Sequence, residues 1–165
     1  MTAQSVLDDD RAIVDARGAL DGVLTRRASA FVIDYLIIGA LTVALFVAIA
    51  VFGLVTFALG WALFLVFGPL ILMMTLAYIW TTLGGPNQAT LGMRAMGVKL
   101  VRLDGAPIDG ATAVVHSLLF WVGNVVLTPL ILLAVLFTGY KRTAHDVLLG
   151  TAVVRTDVAN LPARR

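Results

Sequence analysis

Cysteine is absent from this chain of 165 residues, and so is glutamate; every acid is an aspartate. Without thiols there is no disulfide framework and no thiolate metal site, and thiols cannot report the redox compartment. Charge is scarce as well. Only 13% of the residues are charged, where a soluble domain carries roughly 25%. With 60% hydrophobic residues and a mean hydropathy of +0.97, water is not the solvent for most of the chain. The N-terminal stretch holds Asp8, Asp9 and Asp10 before its first base, Arg11, unlike the basic start of a cleavable signal peptide, so a retained N-terminus is expected. No phosphate loop, serine-nucleophile motif or dinucleotide glycine pattern is present. Ser117 follows His116, but on a helix neighbouring side chains point about 100° apart. No enzyme, no cofactor and no nucleic-acid partner is therefore expected.

What the chain does have is long uncharged runs. From Ala28 to Met93 the only formally charged residue is Asp34. About 20 helical residues cross a hydrocarbon core about 30 Å thick, so this run fits two crossings and a connector. The spans fall at Ala30 to Phe52 and Trp61 to Leu83, with a turn near Gly53 to Gly60 and a stop at Gly84, Gly85, Pro86 and Asn87. Trp61 at one end of the second span, and Tyr78 and Trp80 at the other, suit the interfacial aromatic belts. Arg26 and Arg27 precede this hairpin, and Arg94, Lys99 and Arg102 follow it; basic flanks favour the cytoplasm, so both ends and the N-terminus are expected there. Arginine-rich, lysine-poor, alanine-rich usage points to a GC-rich bacterial genome and hence to an inner membrane. Ala40, Ala44 and Ala48 repeat every four residues, a spacing that allows another helix to approach closely.

Between the apolar runs, Val98 to Leu103 is β-branched with Lys99 and Arg102 interleaved, and Asp104-Gly105 is a hairpin signal. A short β-like excursion on the cytoplasmic face is expected. A third apolar segment, Ala111 to Tyr140, holds His116, Ser117, Asn124 and Pro129 but no formal charge. One crossing would carry Lys141, Arg142 and the C-terminal arginines away from Arg94 and Lys99. Breaks at Gly123-Asn124 and Pro129 would instead make a re-entrant pair of short helices, tolerated where irregular backbone is buried against protein or lines a cavity. The fold class is thus an all-α membrane protein: a helical hairpin, a third apolar segment that spans or re-enters, and a β-like excursion. Residues 1–25 read as an amphipathic or disordered lead, with Val6 to Leu24 loosely helical in period; 26–157 as the membrane domain; 158–165 as a disordered tail.

An ionisable side chain at the centre of a membrane helix costs about 2.5 to 3.5 kcal/mol on insertion scales, which singles out Asp34. Arg27 lies seven positions earlier, almost on the same helix face and about 10 Å along the axis. Two readings stand side by side: a proton- or cation-binding carboxylate beside a basic partner, and an aspartate satisfied by a neighbouring helix that fixes the fold. In Lys141-Arg142-Thr143-Ala144-His145-Asp146, the pair His145 and Asp146 reads as a proton relay or as a solvated interfacial turn. One His-Asp pair falls short of the three or four ligands a metal needs, so no metal is expected. His116 and Asn124 read as a polar pore lining or as interhelical hydrogen-bonding groups, and Arg94, Lys99 and Arg102 as topology determinants or lipid-headgroup contacts.

Arg27 and Asp34 around the start of the first span, Thr90-Leu91-Gly92-Met93-Arg94 leading to Val98 and Asp104-Gly105, then His145-Asp146 with Gly150-Thr151 and Val153-Val154, together resemble the RDD family. That family takes its name from one arginine and two aspartates. The resemblance makes Arg27, Asp34 and Asp146 the signature positions, with Arg26 the alternative arginine. It departs at Met93, where the family often has lysine, and at His116, where it often has arginine. It implies a multi-spanning membrane domain, with cation/proton exchange reported for some members. If the three form one constellation, the third segment re-enters and Arg27 pairs with Asp146. Two functions follow: transport of a cation or other small solute coupled to protons through Asp34, in a homo-oligomer, or a membrane scaffold that binds another membrane protein or lipid.

Overall fold

The computed structural model describes residues 18–127 and 142–159. Helix α1 runs Val23–Val55, followed by a 3-10 segment, Leu59–Val66, and helix α2, Phe67–Thr82. Short helix α3, Leu91–Ala95, leads to strand β1, Val98–Arg102, and helix α4 runs Gly110–Leu127. After the undescribed stretch come α5, Ala144–Leu148, strand β2, Thr151–Arg155, and a final turn α6, Thr156–Ala159.

Helix α1 is about 50 Å long at 1.5 Å per residue, more than a bilayer core requires. It begins seven residues before the expected Ala30, so Arg26 and Arg27 sit on its first two turns rather than ahead of it. The second span is not one continuous α-helix. Pro69 has no N–H to give to the preceding turn, and the chain resets from 3-10 to α just before it, placing the proline in the first turn of α2, where it is tolerated. Together Val23–Val55 and Leu59–Thr82 are long and apolar enough to cross a membrane. Their outer surfaces expose Leu36, Val43, Phe52 and Met73, side chains that acyl chains would cover.

Burial concentrates at the opposite end from the 55–59 turn. Val23, Leu83, Val98, Leu100, Ile108 and Val153 form a compact apolar core there, joined by Ile79 of α2 and Ala113 of α4. Its frame is a two-stranded antiparallel sheet, with Leu100 opposite Val153 and Arg102 opposite Thr151. An isolated strand pair is marginal. This one is held on both edges: Leu100 N–H donates to the Gln88 carbonyl at 2.9 Å and Arg155 N–H to the Ala19 carbonyl at 3.1 Å.

The expected β-like excursion is therefore a strand, but the hairpin expected at Asp104-Gly105 is not formed. The turn itself is present, with Asp104 accepting from Arg102 Nε at 2.9 Å and from Ala106 N–H at 3.1 Å. Beyond the turn, irregular chain leads into α4, and β1 pairs instead with Thr151–Arg155. Helix α4 enters tightly against α2: a Cβ on Gly84 would lie 2.5 Å from Gly110 Cα, and one on Gly110 would lie 2.3 Å from the Trp80 ring. Of the expected amphipathic lead, residues 18–22 form a turn and the remainder up to residue 17 lies outside the described residues. Pro129, Lys141 and the tail beyond Ala159 also lie outside them.

Candidate functional site

Each aspartate singled out in the sequence is held by a different set of partners. Asp34, one turn beyond Ala30 on α1, faces α2 and α3. Its Oδ1 accepts from Tyr78 OH at 2.6 Å and from Gly92 N–H at 2.8 Å, and its Oδ2 accepts from Thr90 Oγ1 at 2.5 Å. Thr90 is also the N-cap of α3, its Oγ1 accepting from Met93 N–H at 3.2 Å. The run Thr90-Leu91-Gly92 thus seats a short helix start on a carboxylate from another helix. Glycine is required at 92 because the chains nearly touch: a Cβ there would lie 2.2 Å from the Ala30 carbonyl oxygen. The expectation that Asp34 has Arg27 as its basic companion is corrected. Its partners are two hydroxyls and a backbone amide, which lie closer than a group two turns away on the same helix.

Arg27 reaches Asp146 instead. Its Nη2 lies 2.7 Å from Asp146 Oδ2, an ion pair between residues far apart in sequence. Asp146 is fully buried. The same Oδ2 accepts from Thr143 N–H at 3.0 Å and from Thr143 Oγ1 at 2.7 Å, the Thr-x-x-Asp arrangement of a capped helix start. Thr151 Oγ1 approaches Oδ1 at 3.5 Å. Burial alone would push the Asp146 carboxyl up; the Arg27 guanidinium, the two nearby imidazoles and the Thr143 hydroxyl outweigh it and hold the group below the usual carboxylate range. The reading of residues 141–146 as a solvated turn is therefore corrected at His145 and Asp146, which burial and the ion pair take out of water.

His116 from α4 and His145 from α5 close the site. Both Nε2 atoms lie 3.7 Å from Asp146 Oδ1, and the two rings meet edge to face with centroids 4.7 Å apart. Burial pushes the His145 imidazole below its ordinary value, opposed by Asp146 and aided by Arg27. Arg27, Asp34, Tyr78, Thr90, His116 and His145 all line one cavity of about 200 Å³. Of the remaining candidates, Arg94 is exposed and lines none of this cavity, and Asn124 lies on α4 with its side chain outside the described part.

A model of the RDD family matches residues 22–150. The chain belongs to the RDD family. With its two long apolar helices it is an integral membrane protein. No curated protein and no solved structure matches it closely enough to add a relative. In this RDD chain the two candidate arginines part company: Arg27 takes Asp146, while Arg26 Nη1 donates to the Met96 carbonyl at 2.6 Å, at the C-terminal end of α3. Sequence reasoning passed over Tyr78, read as an interfacial aromatic, and gave Thr143 no role. For Thr143 a signal existed in the Thr-x-x-Asp spacing; for Tyr78 none did, because its partner lies on another helix.

Proposed function

We propose that this RDD protein is a non-enzymatic component of a bacterial inner-membrane transporter, moving a cation or other small solute in exchange for protons bound at Asp34. The observation that carries this reading is the single cavity on which Asp34, Arg27, His116 and His145 converge from three helices. A carboxylate that must bind and release a proton needs access to such a space; Asp34 has it, and fully buried Asp146 does not line it. We read the third apolar segment as re-entrant. In support, His116 and Asp146 are neighbours at 3.7 Å, so the chain between them starts and finishes at one level. On this reading the N-terminus and the strand pair face the cytoplasm. Three apolar segments enclose two-sided access poorly, so a homo-oligomer or a second membrane protein completes the path, with the exposed Ala40, Ala44 and Ala48 face available for contact.

The test is flux in proteoliposomes. With a proton gradient imposed across vesicles holding the wild-type protein, cation-dependent proton movement is expected, and Asp34→Asn should bring it to the rate of empty vesicles. Undiminished exchange by that variant would remove Asp34 from the mechanism. A scaffold reading is favoured by one observation, that Asp34 ties three helices together through Tyr78, Thr90 and Gly92. It predicts no flux from the wild type and loss of a co-purifying membrane partner on Asp34→Asn.

A further inference from the structure

His116, His145 and Asp146 are brought together from two helices, α4 within the third apolar segment and α5 after it, and each is buried. One potential ligand atom from each lies within 4.8 Å of the others. Asp146 divides its carboxylate: Oδ2 is taken by Arg27 and Thr143, while Oδ1 faces the two imidazoles. The 3.7 Å separation between Oδ1 and each Nε2 is too long for a hydrogen bond. It is close to the spacing of two ligands on one ion, since bond lengths near 2.0–2.1 Å place tetrahedral ligands about 3.4 Å apart.

A second observation concerns His116 itself. It is only 9% exposed, and its Nδ1 is buried with no hydrogen-bond partner among the described residues. A buried polar atom left unsatisfied costs about 1–3 kcal/mol. The orphaned atom is the ring nitrogen opposite the one that faces Asp146, so it marks an imidazole held by burial rather than by hydrogen bonds, while the ligand geometry rests on the Nε2 atoms.

We propose that His116, His145 and Asp146 bind one divalent transition-metal ion of the zinc class, with a further coordination position open toward the cavity. Two imidazoles and one carboxylate oxygen suit zinc and its neighbours, whereas magnesium and calcium prefer all-oxygen sites. Both histidines line the cavity, so an ion reaches them from that side. Arg27 engages the carboxylate oxygen that the ion leaves alone. The ion would hold α4 to α5, drawing the start and the return of the third segment together. This goes beyond the transport reading and does not depend on it, because binding is measured without flux.

The experiment uses the full chain in detergent micelles, with no polyhistidine tag, stripped with chelator and then titrated with cobalt(II) chloride and zinc chloride. One cobalt per chain is expected, with the intense visible bands of a four-coordinate ion, bleached by one equivalent of zinc. His116→Gln and His145→Gln should each weaken zinc binding by more than about a hundredfold, beyond the effect of outer-sphere changes. Unsaturable or absent binding, or an unaltered affinity in a folded His116→Gln variant, overturns the proposal. If neither variant folds, X-ray absorption on the zinc-loaded wild type decides: scattering from two imidazoles supports the site, and its absence rejects it.

Discussion

Arg27→Ala should lower stability by about 3–5 kcal/mol, because it strands a buried carboxylate without its counter-charge. In a chain of this size that is a fall in Tm on the order of 10 °C in detergent. The expectation rests on complete burial of Asp146 and on an arginine side chain that is itself only 19% exposed, so water can do little to replace the lost partner. Thr143 would still donate to Oδ2, but a hydroxyl and an amide do not neutralise a charge. Arg27→Gln strands the carboxylate in the same way, and combining it with Asp146→Asn removes both charges and should recover most of the loss, a coupling that thermal unfolding of Arg27→Gln, Asp146→Asn and the double variant measures directly. Additive losses would mean that the pair does not act as a clamp.

Gly92→Ala is expected to be nearly as damaging, at about 3 kcal/mol, the upper end of the overpacking range. The new methyl group would meet the Ala30 carbonyl oxygen at 2.2 Å and the Asp34 carboxylate at 2.8 and 2.9 Å. Backbone on one side and a three-bonded carboxylate on the other leave no flexible tip to swing aside. The loop must lift, and with it go the Gly92 and Thr90 hydrogen bonds to Asp34. Gly39→Ala on the same long helix is the control. Its added methyl meets nothing within 4 Å, and alanine is favoured over glycine in a helix interior by about 0.5–1 kcal/mol. Thermal unfolding should therefore separate the two in opposite directions; equal effects would show that the contact at Gly92 is not tight.

The parts of this fold that were legible in the sequence are those that local chemistry dictates. Two long apolar runs identify the spans because charge is so costly in lipid, and the isolation of Asp34 within them marks it as a residue needing partners. Which partners it has was not legible. Tyr78 and Thr90 lie on other elements, and the period that puts Arg27 on the same face of the helix pointed to the wrong companion. The strand at Val98–Arg102 announced itself by β-branched alternation, but its mate did not. Asp104-Gly105 is a true turn, yet Ala106, Pro107 and Ile108 offer no second strand, and the pairing skips to Thr151–Arg155, across the whole third apolar segment, α4 included. Contacts of such separation leave no local trace. Asp146 shows the same limit from the other side: a cluster rich in charge looks solvated until Arg27 of α1, His116 of α4 and Thr151 of β2 are brought against its carboxylate. The resemblance to the RDD family anticipated the Arg27 to Asp146 pairing for a reason that residue patterns alone do not contain.

All of this requires that the chain after α4 turn back, so that α5 and β2 rejoin the end of the molecule where Arg27 and β1 lie. The native absence of cysteine makes that claim open to a clean measurement. Single cysteines placed at Leu148, which is 76% exposed on α5, and at Asp104, exposed beyond β1, would be treated with a membrane-impermeant maleimide in sealed vesicles of known orientation. Both should react from the cytoplasmic side and from that side alone. Reaction of the two positions from opposite sides would contradict the fold, the ion pair and the shared cavity together.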